Sequence, residues 1–216
     1  MNFNKPLLVA SLICSITQVA LAEIKISKCI GNIAEVTDNL PQGDNIIAIL
    51  DWDQTISAKE GEYTPRETGP KGTLESIKKL SEAGIKMIIM TARGGGYVYP
   101  EKDLDPFINK MLETMGSENW LAHGALKDKS YKTLPVKRRL HLLAKNQIVF
   151  AGGDVKGEAL AKLIDGNMFY QKPTKIIFVD NADYNIRNME AVFKNRQEEA
   201  YIFHYPNPPE DRPCSK

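Results

Sequence analysis

Apolar residues run almost without interruption through Ile46–Leu50 and again through "IKMIIMT", "QIVFAGG", "TKIIFVD" and "AYIFHY". Such runs predict strands covered on both faces, because a strand with one wetted face would alternate apolar and polar residues. The stretches between them carry a different period. In "GTLESIKKLSEAG", Leu74, Ile77, Leu80 and Ala83 recur at helical spacing, with Thr73 placed to cap the start and Gly84 to end it. "DLDPFINKMLETMG" puts Phe107, Ile108, Met111, Leu112 and Met115 on one side, and Pro106 suits a first turn. "KGEALAKLI" and "NIRNMEAVFK" begin two further helices, a basic stretch around Val136 to Lys145 predicts another, and a short strand is expected near Asn119 to Ala122. Strands alternating with amphipathic helices indicate an α/β fold on a doubly wound, mainly parallel, Rossmann-like sheet. At 216 residues one such domain accounts for the chain, and no internal repeat is visible.

The first 22 residues stand apart. Lys5 precedes an apolar stretch from Leu7 to Ile16, and "VALA", ending at Ala22, offers a small-residue cleavage site, the pattern of a secretory signal peptide. The stretch falls short of the ~20 residues that cross a bilayer as a helix, and bulky Ile13 before Cys14 does not suit lipid attachment. Residues 23–216 are therefore expected as an exported domain, periplasmic or secreted, with no stable membrane anchor. Removing the leader takes Lys5 from 28 basic residues and leaves 27 against 27 acidic ones. That neutral balance provides no field to favour nucleic acid or a membrane surface. Cys29 and Cys214 lie near the two ends of the exported part, where an oxidising compartment would allow either a bridge or two thiols.

In open α/β sheets, ligands bind in the crevice outside the carboxyl ends of the strands. The residues just past each predicted strand are Asp51 and Asp53, then Thr91, then Asp180 with Asn181. Residues i and i+2 of an extended strand share a side, so Asp51 and Asp53 converge if strand geometry continues through Trp52. Two carboxylates brought together repel unless a cation lies between them or one keeps its proton. Both remedies serve phosphoryl transfer. Ionised Asp51 can attack phosphorus and form an aspartyl phosphate, while Asp53 protonates the leaving alkoxide and then takes a proton from the attacking water. Lys156, at a predicted helix start, supplies a fixed cation, and Thr91 a hydroxyl donor. A magnesium ion takes about six oxygens and keeps several waters. Asp51, the backbone carbonyl of Asp53, and Asn181 fit as its ligands, with Asp180 in support.

"DWDQT", the strand-terminal Thr91, Lys156 and "VDN" together resemble, in order and spacing, the four motifs of the haloacid dehalogenase superfamily of phosphohydrolases. The likeness runs from about Ile46 to Tyr205, and "TAR", "VFAGGDVKGEAL" and "KIIFVDNADYNI" also resemble a group of exported proteins of that type from host-associated bacteria. The resemblance implies a magnesium-dependent phosphomonoester hydrolase with Asp51 as nucleophile and Asp53 as general acid and base. Two positions depart from the pattern. Gln54 stands where a smaller residue is usual. Asn181 replaces the commoner acid of the fourth motif, as in the small phosphatases that act on phosphorylated polymerase tails, and removes a charge that would otherwise hold magnesium.

Other polar residues carry less. Arg93, followed by three glycines, is a candidate substrate contact. Asp183 reads as a helix cap, and Asn185 either supports the metal site or begins a helix. His123, His141 and His204 lack metal-ligand spacing, and "VKRRLHLLAK" reads as a solvated basic face. The loop between Asp53 and Thr91 is short, and the excess between Thr91 and Lys156 is about thirty residues, from Gly124 to Gly153. A small or absent cap, and hence an open site for a phosphorylated small molecule or macromolecule, is expected. The alternatives from other classes are a catalytically silent protein that binds a phosphorylated partner, and a phosphotransferase.

Overall fold

A computed structural model of the chain describes residues 24–27, 45–57, 73–93, 124–127, 132–135, 141–145, 147–151 and 155–205, with positions 36, 41, 43, 106 and 109. The leader, Cys29, Cys214, His123, the glycines after Arg93, the expected strand at 119–122 and most of the helix around Phe107 lie outside the described residues. So do the segments that would settle the size of a cap. Among the described residues no helix is long and apolar enough to cross a membrane.

Eight strands form one sheet: β1 (Ile24–Ser27), β2 (Ile46–Leu50), β3 (Lys86–Thr91), β4 (Lys132–Pro135), β5 (His141–Lys145), β6 (Ile148–Phe150), β7 (Lys175–Asp180) and β8 (Glu199–His204). Their order across the sheet is β1-β8-β7-β2-β3-β6-β5-β4. From β1 through β6 every neighbouring pair is parallel. The last two strands add an antiparallel hairpin to the edge, with Leu143 opposite Phe150 and Thr133 opposite Leu143. The sheet is the mainly parallel α/β sheet that the alternation of periods predicts.

That hairpin corrects one expectation. The stretch from Val136 to Lys145 does not form a helix over its described part, because His141–Lys145 is a strand, with Leu143, Ala144 and Lys145 paired to β6 and His141 to Ala144 paired to β4. Its apolar core, "LLA", is too short for period to separate helix from strand, and the open edge of β6 decides the outcome.

Three helices are described: α1 (Thr73–Glu82), α2 (Lys156–Asp165) and α3 (Asp183–Phe193). Alternate residues of each central strand feed opposite cores. Ala48, Leu50, Met87, Ile89, Ile177 and Val179 pack on the face shared with Ile77 and Leu80 of α1. Ile47, Ile49, Ile88, Met90, Ile176 and Phe178 pack on the other face against Leu160 and Leu163 of α2 and Ile186, Met189 and Phe193 of α3. With both faces covered the strands are apolar throughout. Each buried Ile, Leu or Phe contributes roughly 1.5–3 kcal/mol.

α1 ends as its sequence predicts. Gly84 adopts a left-handed φ of 74°, its N–H bonds to the Ser81 carbonyl at 2.9 Å, and Ile85 then enters the core. From β2 the chain moves outward through β3 to β6, then crosses back to β7 and β8 on the other side. The reversal of strand order lies between β2 and β7. Their carboxyl ends carry Asp51 and Asp180.

Candidate active site

β2 stops at Leu50, and the chain wraps round the carbonyl of Trp52. That oxygen accepts the N–H groups of Ile56 at 3.0 Å and Ser57 at 2.8 Å and the Ser57 hydroxyl at 3.1 Å. Trp52 itself is fully buried, and Gln54 takes a left-handed φ of 60° to close the turn. Strand geometry therefore does not continue through Trp52, and the two acids take different partners. Asp51 is buried, accepting a bond from the Thr55 hydroxyl at 2.8 Å and another from Lys156 Nζ. Asp53 is partly exposed. Its carboxylate accepts two bonds from the Arg93 guanidinium, from Nε at 2.9 Å and Nη2 at 2.6 Å, and a longer one from the Thr91 hydroxyl at 3.3 Å. Each acid is thus faced by a fixed cation of its own.

Lys156 opens α2 and is fully buried. Its ammonium bridges Asp51 and Asp180, reaching Asp180 Oδ2 at 2.7 Å. Burial pushes the Asp51 carboxyl up to about 7, with Asp180 adding to the effect and Lys156 opposing it. Burial alone would lower Lys156, but the charges of Asp180 and Asp51 hold the ammonium above its ordinary range. Lys156 stays a cation.

Asp180 is wholly buried and fully used. Its Oδ1 accepts the Ala182 N–H at 2.8 Å, and its Oδ2 accepts from Asn185 Nδ2 at 3.0 Å as well as from Lys156. The first bond also serves the start of α3, whose cap position is Ala182 and has no side-chain acceptor of its own. Asp183 is exposed and pairs with Arg187 at 2.6 Å, as a surface residue of the first turn.

α2 is held close to α3 by a glycine. A Cβ on Gly157 would stand 2.6 Å from Asn188 Oδ1 and 2.9 Å from its carbonyl oxygen. The helices therefore approach there as they could with no other residue, and Asn188 Oδ1 accepts the Glu158 N–H at 3.3 Å, serving an α2 terminus whose own cap, Val155, has no side-chain acceptor. The close approach fixes Lys156 against Asp180.

Asn181 is half-buried and donates from Nδ2 to Gln54 Oε1 at 3.1 Å, joining the two positions that depart from the common pattern. That bond commits one amide hydrogen of Asn181. The His204 ring meets the Asn181 carbonyl at 3.1 Å. Asn185 is 2 % exposed, and its Oδ1 has no partner among the described residues. A buried oxygen without a donor costs about 1–3 kcal/mol, which a cation or an ordered water would offset. Among the described residues no group of three or more His, Cys, Asp or Glu side chains gathers round a common point. A cation here would rest on Asp51, the Asp53 carbonyl and amide oxygens. Such an all-oxygen set fits magnesium rather than zinc.

The structure thus brings Asp51, Lys156 and Asp180 together on one side, and Asp53, Thr91 and Arg93 on the other. Three contributors escape the sequence reading: Thr55 on Asp51, His204 on Asn181, and Asn188 on α2. His204 ends β8, so the strand-end rule extended by one strand would have found it.

A family model for proteins of unknown function, DUF2608, matches residues 66–216. The chain belongs to the DUF2608 family. The match takes in Thr91, Arg93, Lys156, Asp180 and Asn181, while Asp51 and Asp53 precede it in this DUF2608 chain. No curated protein and no solved structure matches the chain.

Proposed function

We propose that the chain is an exported phosphatase of the haloacid dehalogenase type, hydrolysing a phosphomonoester through a phosphorylated Asp51. The observation that carries this reading is the buried Asp51–Lys156–Asp180 cluster at the point where strand order reverses. A buried ion cluster adds little to stability over apolar packing, so chemistry is the better account of it. Thr55 and Lys156 orient the Asp51 carboxylate for attack on phosphorus, and Lys156 neutralises charge on the transferring oxygens. Asp53, at the exposed side of the turn, protonates the leaving alkoxide and later accepts a proton from water. Arg93 and Thr91 orient it. A magnesium ion held by Asp51, the Asp53 carbonyl and Asn181 would supply further charge to the transferring group and favour ionised Asp51.

One observation favours a second reading, a silent protein that binds a phosphorylated partner. Both oxygens of Asp53 accept from Arg93, so the carboxyl that hydrolysis would use is already engaged by a fixed side chain. Phosphate release from an aryl phosphate, with and without magnesium, separates the two. Magnesium-dependent turnover lost in Asp51→Asn supports the phosphatase. Binding of phosphate with no turnover in either protein would overturn it in favour of the binding role.

A further inference from the structure

Among the described residues two large aromatic side chains are exposed, Tyr170 at 58 % and Tyr184 at 56 %. Single exposed aromatics are ordinary, so place is what separates these two. Tyr170 follows the end of α2, toward the amino ends of the strands, and its hydroxyl donates to the Lys127 carbonyl at 3.2 Å. Tyr184 stands at the opposite end, in the first turn of α3, just past Asp180. Residues four apart share a helix stripe, so Tyr184 lies on the stripe of Asn188, whose Oδ1 accepts the Glu158 N–H of α2 at 3.3 Å. Tyr184 is one turn, about 5.4 Å, nearer the carboxyl ends of the strands than that contact. The Cα–Cβ bond of a helical residue tilts toward the helix N-terminus, so a side chain covers the turn before its own. For Tyr184 that turn holds Asn181 and Ala182, and both are tied to the site. Ala182 donates to Asp180 Oδ1 at 2.8 Å, and Asn181 donates to Gln54 at 3.1 Å. The exposed ring therefore flanks the mouth above Asp51, Lys156 and Asp180.

We propose that Tyr184 sets the substrate class of this site, stacking on a flat aromatic group carried by the phosphoryl ester and so favouring ring-bearing esters over aliphatic ones. The inference rests on the phosphoryl reading of the site. The ring on the ester is an aryl group or a nucleobase, since each presents the π face that stacking needs. Stacking uses the face of the tyrosine and not its hydroxyl, so phenylalanine can replace it and alanine cannot. A contact away from the reacting atoms is made equally in the ground and transition states, so it acts on KM and leaves kcat alone.

Hydrolysis of phosphotyrosine, adenosine monophosphate and glycerol phosphate, with magnesium present, tests this in the natural chain, Tyr184→Phe and Tyr184→Ala. A phenol leaves more readily than an alcohol, so the change on substitution is what counts and not the rate itself. Tyr184→Ala should raise KM for at least one ring-bearing ester about tenfold more than for glycerol phosphate, while Tyr184→Phe holds the natural value. The ester that responds tells an aryl group from a nucleobase. Equal effects on all three esters would overturn the proposal, as would a loss in Tyr184→Phe as large as in Tyr184→Ala. If no ester is hydrolysed, calorimetric binding of the same three compounds decides. Tighter binding of a ring-bearing ester, lost in Tyr184→Ala alone, would keep the role of Tyr184 and refute the phosphatase. Hydrolysis with no dependence on the Tyr184 ring would do the reverse, and neither hydrolysis nor binding of any of the three would overturn both.

Discussion

Replacing Asp51 by asparagine should make the metal-free protein more stable at pH 8, not less. In the native chain, burial pushes the Asp51 carboxyl from 3.8 up to about 7 against the pull of Lys156. A group whose folded pKa lies above its unfolded value contributes stability that is full below the unfolded value and is lost as pH rises through the folded one. Each tenfold difference in proton affinity is worth roughly 1.4 kcal/mol, so the loss between pH 4 and pH 8 amounts to at most roughly 4 kcal/mol. The amide that replaces the carboxyl in Asp51→Asn cannot ionise and is nearly the shape of the protonated acid. The stability difference between variant and native chain should therefore grow in the variant's favour across that range, and be small at pH 4. Urea unfolding at several pH values, with chelator present throughout, measures it. A difference that is flat, or that turns against the variant as pH rises, would mean that Lys156 outweighs burial at this carboxylate, and would refute the reasoning.

Other predictions concern the frame of the site. Gly157→Ala should cost about 1–3 kcal/mol in chemical unfolding, because the added methyl meets Asn188 at 2.6 Å and must part α2 from α3. Arg196→Gln should cost about 2–3 kcal/mol at pH 7, since Arg196 bonds Glu198 at 2.8 Å where that carboxylate is almost wholly buried, though Arg196 itself is partly solvated. Burial alone would raise Glu198, but bonding and charge from Arg196 hold it below its ordinary value. The stability it contributes is therefore present above the unfolded value and lost as the solution is acidified through the folded one, so the cost of Arg196→Gln should shrink in acid.

Most of the sheet and half of the site are legible because they rest on local signals. A covered parallel strand writes itself as an apolar run, and the residue after it is a polar exception, which is how Asp51, Thr91 and Asp180 stand out. Lys156 is legible from its place at a helix start. What stays hidden depends on distance in the chain. Nothing near Arg93 says that its guanidinium grips Asp53 rather than open solvent. Nothing in "IRNME" or "KGEAL" announces that Asn188 must serve α2 while Gly157 clears its path. The β5 strand reads as a helix for the same reason, since its conformation is decided by the edge of β6 and not by its own period. The turn at Trp52 redirects Asp53 because four backbone and side-chain donors, from Thr55, Ile56 and Ser57, converge on one carbonyl, a pattern with no sequence period.

A buried lysine between two acids poses the question of whether it serves the fold or the chemistry, and a mutant cycle answers it. If Lys156 is there for stability, Lys156→Met should cost what its two bonds are worth, and adding Asp51→Asn should change stability only as it does in the native chain. If it is there to hold a reactive carboxylate charged in a dry site, the main damage of Lys156→Met is the uncompensated charge left on Asp51 and Asp180. The single variant should then lose about 3–5 kcal/mol at pH 7. The double variant Lys156→Met with Asp51→Asn should recover at least about 1 kcal/mol beyond the gain that Asp51→Asn gives the native chain at the same pH, because Lys156 no longer offsets the charge that the change removes. Recovery would show a site whose parts are costly singly and tolerable only together. Strict additivity of the two changes, measured by urea unfolding at pH 7, would instead make the lysine an ordinary structural cation and take away the argument that the cluster exists for catalysis.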